Sequence, residues 1–178
     1  MDYKMTIAGL ERSLPLCPLN DDLYIGAFVI FGDCELTEAC AAELLKRAPE
    51  YDYMITAESK GIPLAYAMAR QHGDKKWMLA RKGVKLYMKN VVDVAVKSIT
   101  TAKEQHLYLD GADAEMMKGK RILIVDDVIS TGDSLRALEK LAENFECEIV
   151  AKTAVFAEGE AFNRKDLTVL SFLPLIEN

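Results

Sequence analysis

Apolar residues recur at helical spacing from Leu36 to Ala48, with Thr37 placed to cap the start and Lys46, Arg47 and Pro49 closing the end. The pattern predicts a first helix there. Tyr53-Met54-Ile55-Thr56 reads as a short buried strand, and Ile62 to His72, opened by Pro63 and followed by Gly73, as a second helix. Lys76 to Ala80 gives another strand. The stretch from Val91 to Leu109 is rich in β-branched residues and lacks a helix stop, so it reads as a pair of strands extending from a loop. Arg121-Ile122-Leu123-Ile124-Val125 has the composition of a strand buried on both faces of a parallel sheet, and a polar turn follows it. Helical spacing resumes at Leu135, Leu138 and Leu141 and ends near Asn144, after which Glu148 to Phe156 and Thr168 to Phe172 supply two more strands. This alternation predicts an α/β fold. Its sheet is open, Rossmann-like and mainly parallel, with helices on both faces and a ligand site beyond the carboxyl ends of the strands.

The 178 residues fit one domain, and an apolar fraction of 51% is enough for a packed core. Apolar runs such as Ile122 to Val125 and Ile149 to Val155 are far shorter than the roughly 20 residues of a membrane-spanning helix. The start, Met1-Asp2-Tyr3-Lys4, has no basic stretch leading into an apolar one, so a cytoplasmic protein with no membrane partner is expected. Net charge is −6, with acids and bases mixed along the chain, which argues against a nucleic-acid partner bound by counterion release. Cys17, Cys34, Cys40 and Cys147 form no CxxC pair, and His72 and His106 stand far apart, so neither a zinc site nor a disulfide framework is expected.

The candidate chemistry lies in Val125-Asp126-Asp127-Val128-Ile129-Ser130-Thr131-Gly132-Asp133-Ser134, where a hydrophobic strand delivers two carboxylates and small polar residues lead into a helix. Backbone N–H groups of a tight turn and of a helix's first turn cradle a phosphate, Gly132 allows close approach, and Thr131 and Ser134 add hydroxyls. Adjacent acids would repel a phosphate, but they suit sugar hydroxyls and hydrated Mg²⁺. Ribose 5-phosphate meets both requirements. Each element alone also fits a buried strand, a solvated turn and an ordinary N-cap; the conjunction is what carries the reading.

The segment resembles the signature of type I phosphoribosyltransferases, which bind 5-phosphoribosyl-1-pyrophosphate (PRPP). The resemblance implies that Asp126 and Asp127 hold the ribose hydroxyls and the Mg²⁺ shell, through water, and that Ser130, Thr131, Gly132, Asp133 and Ser134 wrap the 5-phosphate. Ala57-Glu58-Ser59-Lys60-Gly61 leaves the Tyr53 strand and enters a helix; it looks like the family's pyrophosphate loop, with Glu58, Ser59 and Lys60 as its residues. Ala80-Arg81-Lys82-Gly83-Val84-Lys85 is similar to the place in adenine and xanthine phosphoribosyltransferases where an Arg-Lys pair opens a mobile loop, so Arg81, Lys82 and Lys85 are implied to hold pyrophosphate.

The resemblance runs from about Thr37 to Val155, with a core of about 36–156 and a small hood from 1–35 and 157–178. The adenine enzymes carry a Leu-Glu-Tyr acid after the loop; this chain has Ser98-Ile99-Thr100-Thr101, closer to the Ser-Phe-Thr of the xanthine enzymes. Their Pro-Gly-Ile base segment has no clear match, and Leu23 to Phe31 is expected to form one wall of a base pocket. The implied activity is transfer of the phosphoribosyl group to a purine, adenine ahead of 6-oxopurines, by a homodimer. Asp127 is the nearest candidate for proton handling or cation stabilisation. A PRPP-sensing regulator is the rival, but no helix-turn-helix precedes the first helix. A signalling receiver would place its acids nearer the N-terminus, and no GxxxxGK[ST] for P-loop hydrolysis occurs.

Overall fold

A computed structural model of the protein describes residues 2–97 and 104–177. In chain order the strands are β1 (Asp2–Ile7), β2 (Leu10–Pro18), β3 (Leu23–Gly26), β4 (Tyr53–Ala57), β5 (Met78–Ala80), β6 (Val92–Lys97), β7 (Glu104–Leu109), β8 (Arg121–Ile129), β9 (Glu148–Ala157), β10 (Leu167–Phe172) and β11 (Leu175–Glu177). The helices are α1 (Cys34–Arg47), α2 (Ile62–His72), α3 (Gly111–Met117) and α4 (Asp133–Asn144).

The central sheet runs β10-β9-β8-β4-β5 and every pairing in it is parallel. Side chains of β8 alternate between two cores, as the period of two dictates. Leu123 and Val125 pack with Leu36, Leu44, Leu64 and Met68 of α1 and α2. Ile122 and Ile124 pack with Leu135, Leu138 and Leu141 of α4, with Met117 of α3, and with Val94 and Leu107 of the antiparallel β6–β7 pair. Ile124 is 1% exposed, and a truncation to Ala at such a site costs about 2–5 kcal/mol. The α/β fold with helices on both faces is thus as the alternation predicts.

The chain ends build a second layer, an antiparallel sheet ordered β1-β2-β3-β11. It is tied to the core by the Phe28 and Phe156 rings, edge to face at 4.8 Å, and by Arg12, which reaches Asp33 at 2.7 Å.

Several local expectations need correction. The N-cap of α1 is Asp33, whose Oδ1 accepts the Leu36 N–H at 3.0 Å, while Thr37 lies inside the first turn and donates its hydroxyl to Asp33 O. A carboxylate at that position draws on the helix dipole as well as the hydrogen bond, and it outcompetes Thr37 for the role. The Lys76 strand shrinks to Met78–Ala80, because its pairing with β4 begins only at Met78, opposite Ile55. No turn follows Val125: β8 continues through Asp126 and Asp127 to Ile129, since β9 keeps pairing with it as far as Ala157. The hairpin β1–β2 and helix α3 have no counterpart in the sequence reading.

Candidate active site

The carboxyl ends of four neighbouring parallel strands, β5, β4, β8 and β9, supply the site; β4, β5 and β9 contribute residues just past their ends, whereas Asp126 and Asp127 lie within β8, beyond its pairing with β4 but still beside β9. After β4 the chain turns through Glu58 to Gly61 and enters α2, with Pro63 in its first turn. Gly61 is dictated by space: a Cβ there would stand 2.2 Å from Thr56 Oγ1 and 3.4 Å from both Asp126 Cα and Asp126 Oδ1. Any side chain at this point of the loop would therefore press on both Thr56 and Asp126.

On β8, Asp127 is 2% exposed and its N–H donates to Asp126 Oδ1 at 2.9 Å. Asp127 Oδ2 is buried and accepts no hydrogen bond among the described residues; Lys60 Nζ stands 3.9 Å from it. Burial, followed by the neighbouring Asp127 charge, pushes the Asp126 carboxyl above the ordinary carboxylate range. An orphaned buried oxygen beside a second carboxylate is the donor set that a hydrated cation or sugar hydroxyls would satisfy. Among the described residues no group of three or more His, Cys, Asp and Glu forms a cage of its own, so a Mg²⁺ here would take most of its ligands from water and substrate oxygens.

The turn from Ser130 to Ser134 closes around a cavity of about 90 Å³ that Asp126 and Gln105 also line. Gly132, at φ +77°, is the left-handed residue that swings the chain into α4, aiming that helix's free N–H groups at the cavity. Asp133 is buried and ion-paired to Arg136, which also donates to Thr131 O at 3.2 Å. The Asp133 carboxylate is thereby neutralised at a turn suited to anions, so Asp133 would serve a phosphate through its backbone.

At the end of β5, Arg81 pairs its N–H and C=O with Tyr108, both at 2.8 Å. Its guanidinium is ion-paired to Glu58 at 3.2 Å and donates to the Tyr87 hydroxyl at 2.9 Å, while Lys82 is exposed. Glu58, expected beside pyrophosphate, instead turns its carboxylate to Arg81 and the Lys82 N–H. Lys85 opens a turn closed by the Met88 N–H at 3.0 Å, and Ser59 lies in the loop next to Lys60. The structure thus gathers the three sequence segments at one end of one sheet. Ser98, Ile99, Thr100 and Thr101 lie outside the described residues.

Two features escaped the sequence reading. Glu158 follows β9, donates its N–H to Ile129 O at 2.9 Å, and has its carboxyl pushed up by burial, with Lys60 opposing and Asp127 adding to the shift. It lines a cavity of about 250 Å³ whose other walls are Ser130 and Thr131 on one side and Leu19, Ile25 and Leu175 of the outer sheet on the other. The signal was present, because an acid just past a buried strand is the feature that marked Asp126. Of Leu23 to Phe31, expected to wall a base pocket, Ile25 lines this cavity, while Phe28 and Ile30 turn into the core. Tyr87 gave no signal, since its partner Arg81 is fixed only by folding.

Residues 36–174 match the family model described as a phosphoribosyl transferase domain. The chain is 31% identical over 154 residues to an adenine phosphoribosyltransferase of Acetivibrio thermocellus, covering 82% of this chain and 84% of that one. It is 35% identical over 118 residues to a hypoxanthine/guanine phosphoribosyltransferase of Methanococcus voltae, covering 66% of this chain and 59% of the relative's length. A second such relative, from Methanosarcina acetivorans, is 31% identical with 65% of its length covered. The solved structure of the Saccharomyces cerevisiae adenine phosphoribosyltransferase superposes with a TM-score of 0.65 over 96% of this chain and 92% of that one, at 19% identity, a likeness of fold. By the family model and these relatives, the chain belongs to the phosphoribosyltransferase family.

Proposed function

We propose that the protein transfers the 5-phosphoribosyl group of PRPP to a purine nitrogen and releases pyrophosphate, with adenine ahead of the 6-oxopurines. The observation that carries this reading is the meeting of the Asp126-Asp127 pair, the Ser130–Ser134 turn, Lys60 and the Arg81-Lys82 strand end over one sheet edge. One end of that array suits a phosphate, the middle a ribose, the other end a leaving anion.

In this reading the turn N–H groups and the Thr131 and Ser134 hydroxyls bind the 5-phosphate and fix the ribose above Asp126 and Asp127. Asp127 accepts from a ribose hydroxyl and its negative charge stabilises the cation-like sugar as the C1–O bond stretches. Lys60 and Lys82 meet the charge that grows on the leaving pyrophosphate, and Ser59 and Lys85 flank them. Mg²⁺, held through water by Asp126 and Asp127, would add charge neutralisation on the pyrophosphate oxygens. The segment after Lys82 would keep water from the sugar cation.

The base would occupy the cavity between the outer sheet and Thr131, with its ring against Leu19, Ile25 and Leu175. In this reading Glu158 faces position 6 of the base, where its carboxylate would accept from the 6-amino group of adenine and repel a 6-oxo oxygen. The adenine phosphoribosyltransferases among the relatives support the same base, and the hypoxanthine/guanine relatives support the alternative. A cytoplasmic homodimer belongs to the same proposal, and light scattering tests its stoichiometry. The deciding experiment is incubation with PRPP, Mg²⁺ and each of adenine, hypoxanthine, guanine, xanthine, uracil and orotate. Nucleotide from a pyrimidine alone would refute the purine assignment, and PRPP binding without product would make the protein a sensor.

A further inference from the structure

The cations at the end of β5 are unequal. Arg81 has Nη2 at 3.2 Å from Glu58 Oε1, Nη1 donating to the Tyr87 hydroxyl at 2.9 Å, and Nε buried without a hydrogen-bond partner among the described residues. Its guanidinium is committed to protein on two edges, and its charge is cancelled by Glu58. The other oxygen of the same carboxylate, Oε2, accepts the Lys82 N–H at 2.9 Å, and the Glu58 N–H donates to Ala80 O at 2.9 Å. Glu58 therefore spans two loops that are distant in sequence, binding the guanidinium of one residue and the backbone of the next. Lys82 is exposed, and the Lys60 side chain is 55% exposed, so these two ammonium groups can face an anion, with the half-buried Lys85 beside them.

We propose that Glu58, with Tyr87, is a positioning clasp: it holds Arg81 as a strut and so sets where Lys82 meets pyrophosphate, without touching pyrophosphate itself. A carboxylate facing a pyrophosphate would repel it, whereas one turned onto a guanidinium and an amide orders the loop at no cost to the anion. The lowered carboxyl of Glu58, due first to the Lys82 N–H, is in keeping with that engagement. The inference rests on the reading that this end of the site receives pyrophosphate.

The test is calorimetry on the full chain with Mg-pyrophosphate and, separately, ribose 5-phosphate, for the native protein, Glu58→Ala, Glu58→Gln and Tyr87→Phe. Glu58→Ala is expected to weaken pyrophosphate about tenfold or more, the effect of losing a charge-assisted hydrogen bond, and to leave ribose 5-phosphate unchanged. Glu58→Gln, whose amide oxygen still accepts the Lys82 N–H, should recover part of that loss, a rescue that general destabilisation would not produce. Unchanged pyrophosphate affinity in Glu58→Ala, or equal losses for both ligands, overturns the clasp. Should Glu58→Ala fail to fold, native pyrophosphate affinity in both Glu58→Gln and Tyr87→Phe overturns it. Purine turnover by the native protein is measured alongside: its absence refutes the transferase reading, while the pyrophosphate comparison still decides the clasp.

Discussion

A Cβ added to Gly61 would fall 2.2 Å from the hydroxyl oxygen of Thr56, a buried side chain of the preceding strand. The clash is steric rather than conformational, because Gly61 has an ordinary helical φ of −72°. Gly61→Ala is expected to destabilise the protein by about 1–3 kcal/mol, the usual cost of overpacking. Thr56→Ala in the same chain should restore most of it by removing the struck atom. Urea denaturation of the single and double variants checks this; additive losses would show that some other contact is at fault.

Neutralising Asp126 and Asp127 to Asn is expected to abolish Mg²⁺-dependent PRPP binding with the fold retained, since the buried Asp127 Oδ2 accepts no hydrogen bond among the described residues and loses only the 3.9 Å ion pair to the exposed Lys60. Calorimetry with and without Mg²⁺ is the measurement. Native affinity in the double variant would remove both residues from the site.

Arg81 and Lys82 should separate under conservative substitution. Lys82→Arg keeps an exposed cation and is expected to retain most PRPP affinity. Arg81→Lys keeps the charge but cannot reach Glu58 and Tyr87 together, so it should lose about tenfold in PRPP affinity and far less in ribose 5-phosphate affinity. Equal tolerance at both positions would mean that charge alone matters.

Glu158 should reveal its burial through pH. Its carboxyl is raised above the unfolded value, so the folded state binds a proton more tightly than the unfolded chain does. Its favourable contribution is complete below the unfolded pKa and is lost as pH rises through the folded one. Glu158→Gln is therefore expected to be more stable than the native protein near neutral pH, with the difference closing below about pH 4. Thermal denaturation across that range tests the sign. The same variant should narrow the preference for adenine over hypoxanthine, because a buried unmatched partner costs about 1–3 kcal/mol.

The sequence by itself determined the elements whose pattern is local. Ile62–His72 carries its Pro near the start and its Gly past the end, and β8 opens as an aliphatic run, so periodicity suffices for both, although the end of β8 at Ile129 is set by its pairing with β9. It also marked Lys60, Arg81 and Ser130 to Ser134, since charged or small polar residues directly after a buried strand lie at a sheet's carboxyl edge by construction. What it could not determine was anything set by contact between distant segments. The hairpin β1–β2 does alternate, Asp2, Lys4 and Thr6 exposed and Tyr3, Met5 and Ile7 more buried, but its place over the core is set by Leu14 packing there and by Arg12 reaching Asp33. The orientation of Glu58 and the burial of Glu158 were equally hidden. A carboxylate in a sequence has no direction, and only the packing of β4 beside β5, and of the outer sheet over β9, decides whether it faces a ligand or a guanidinium.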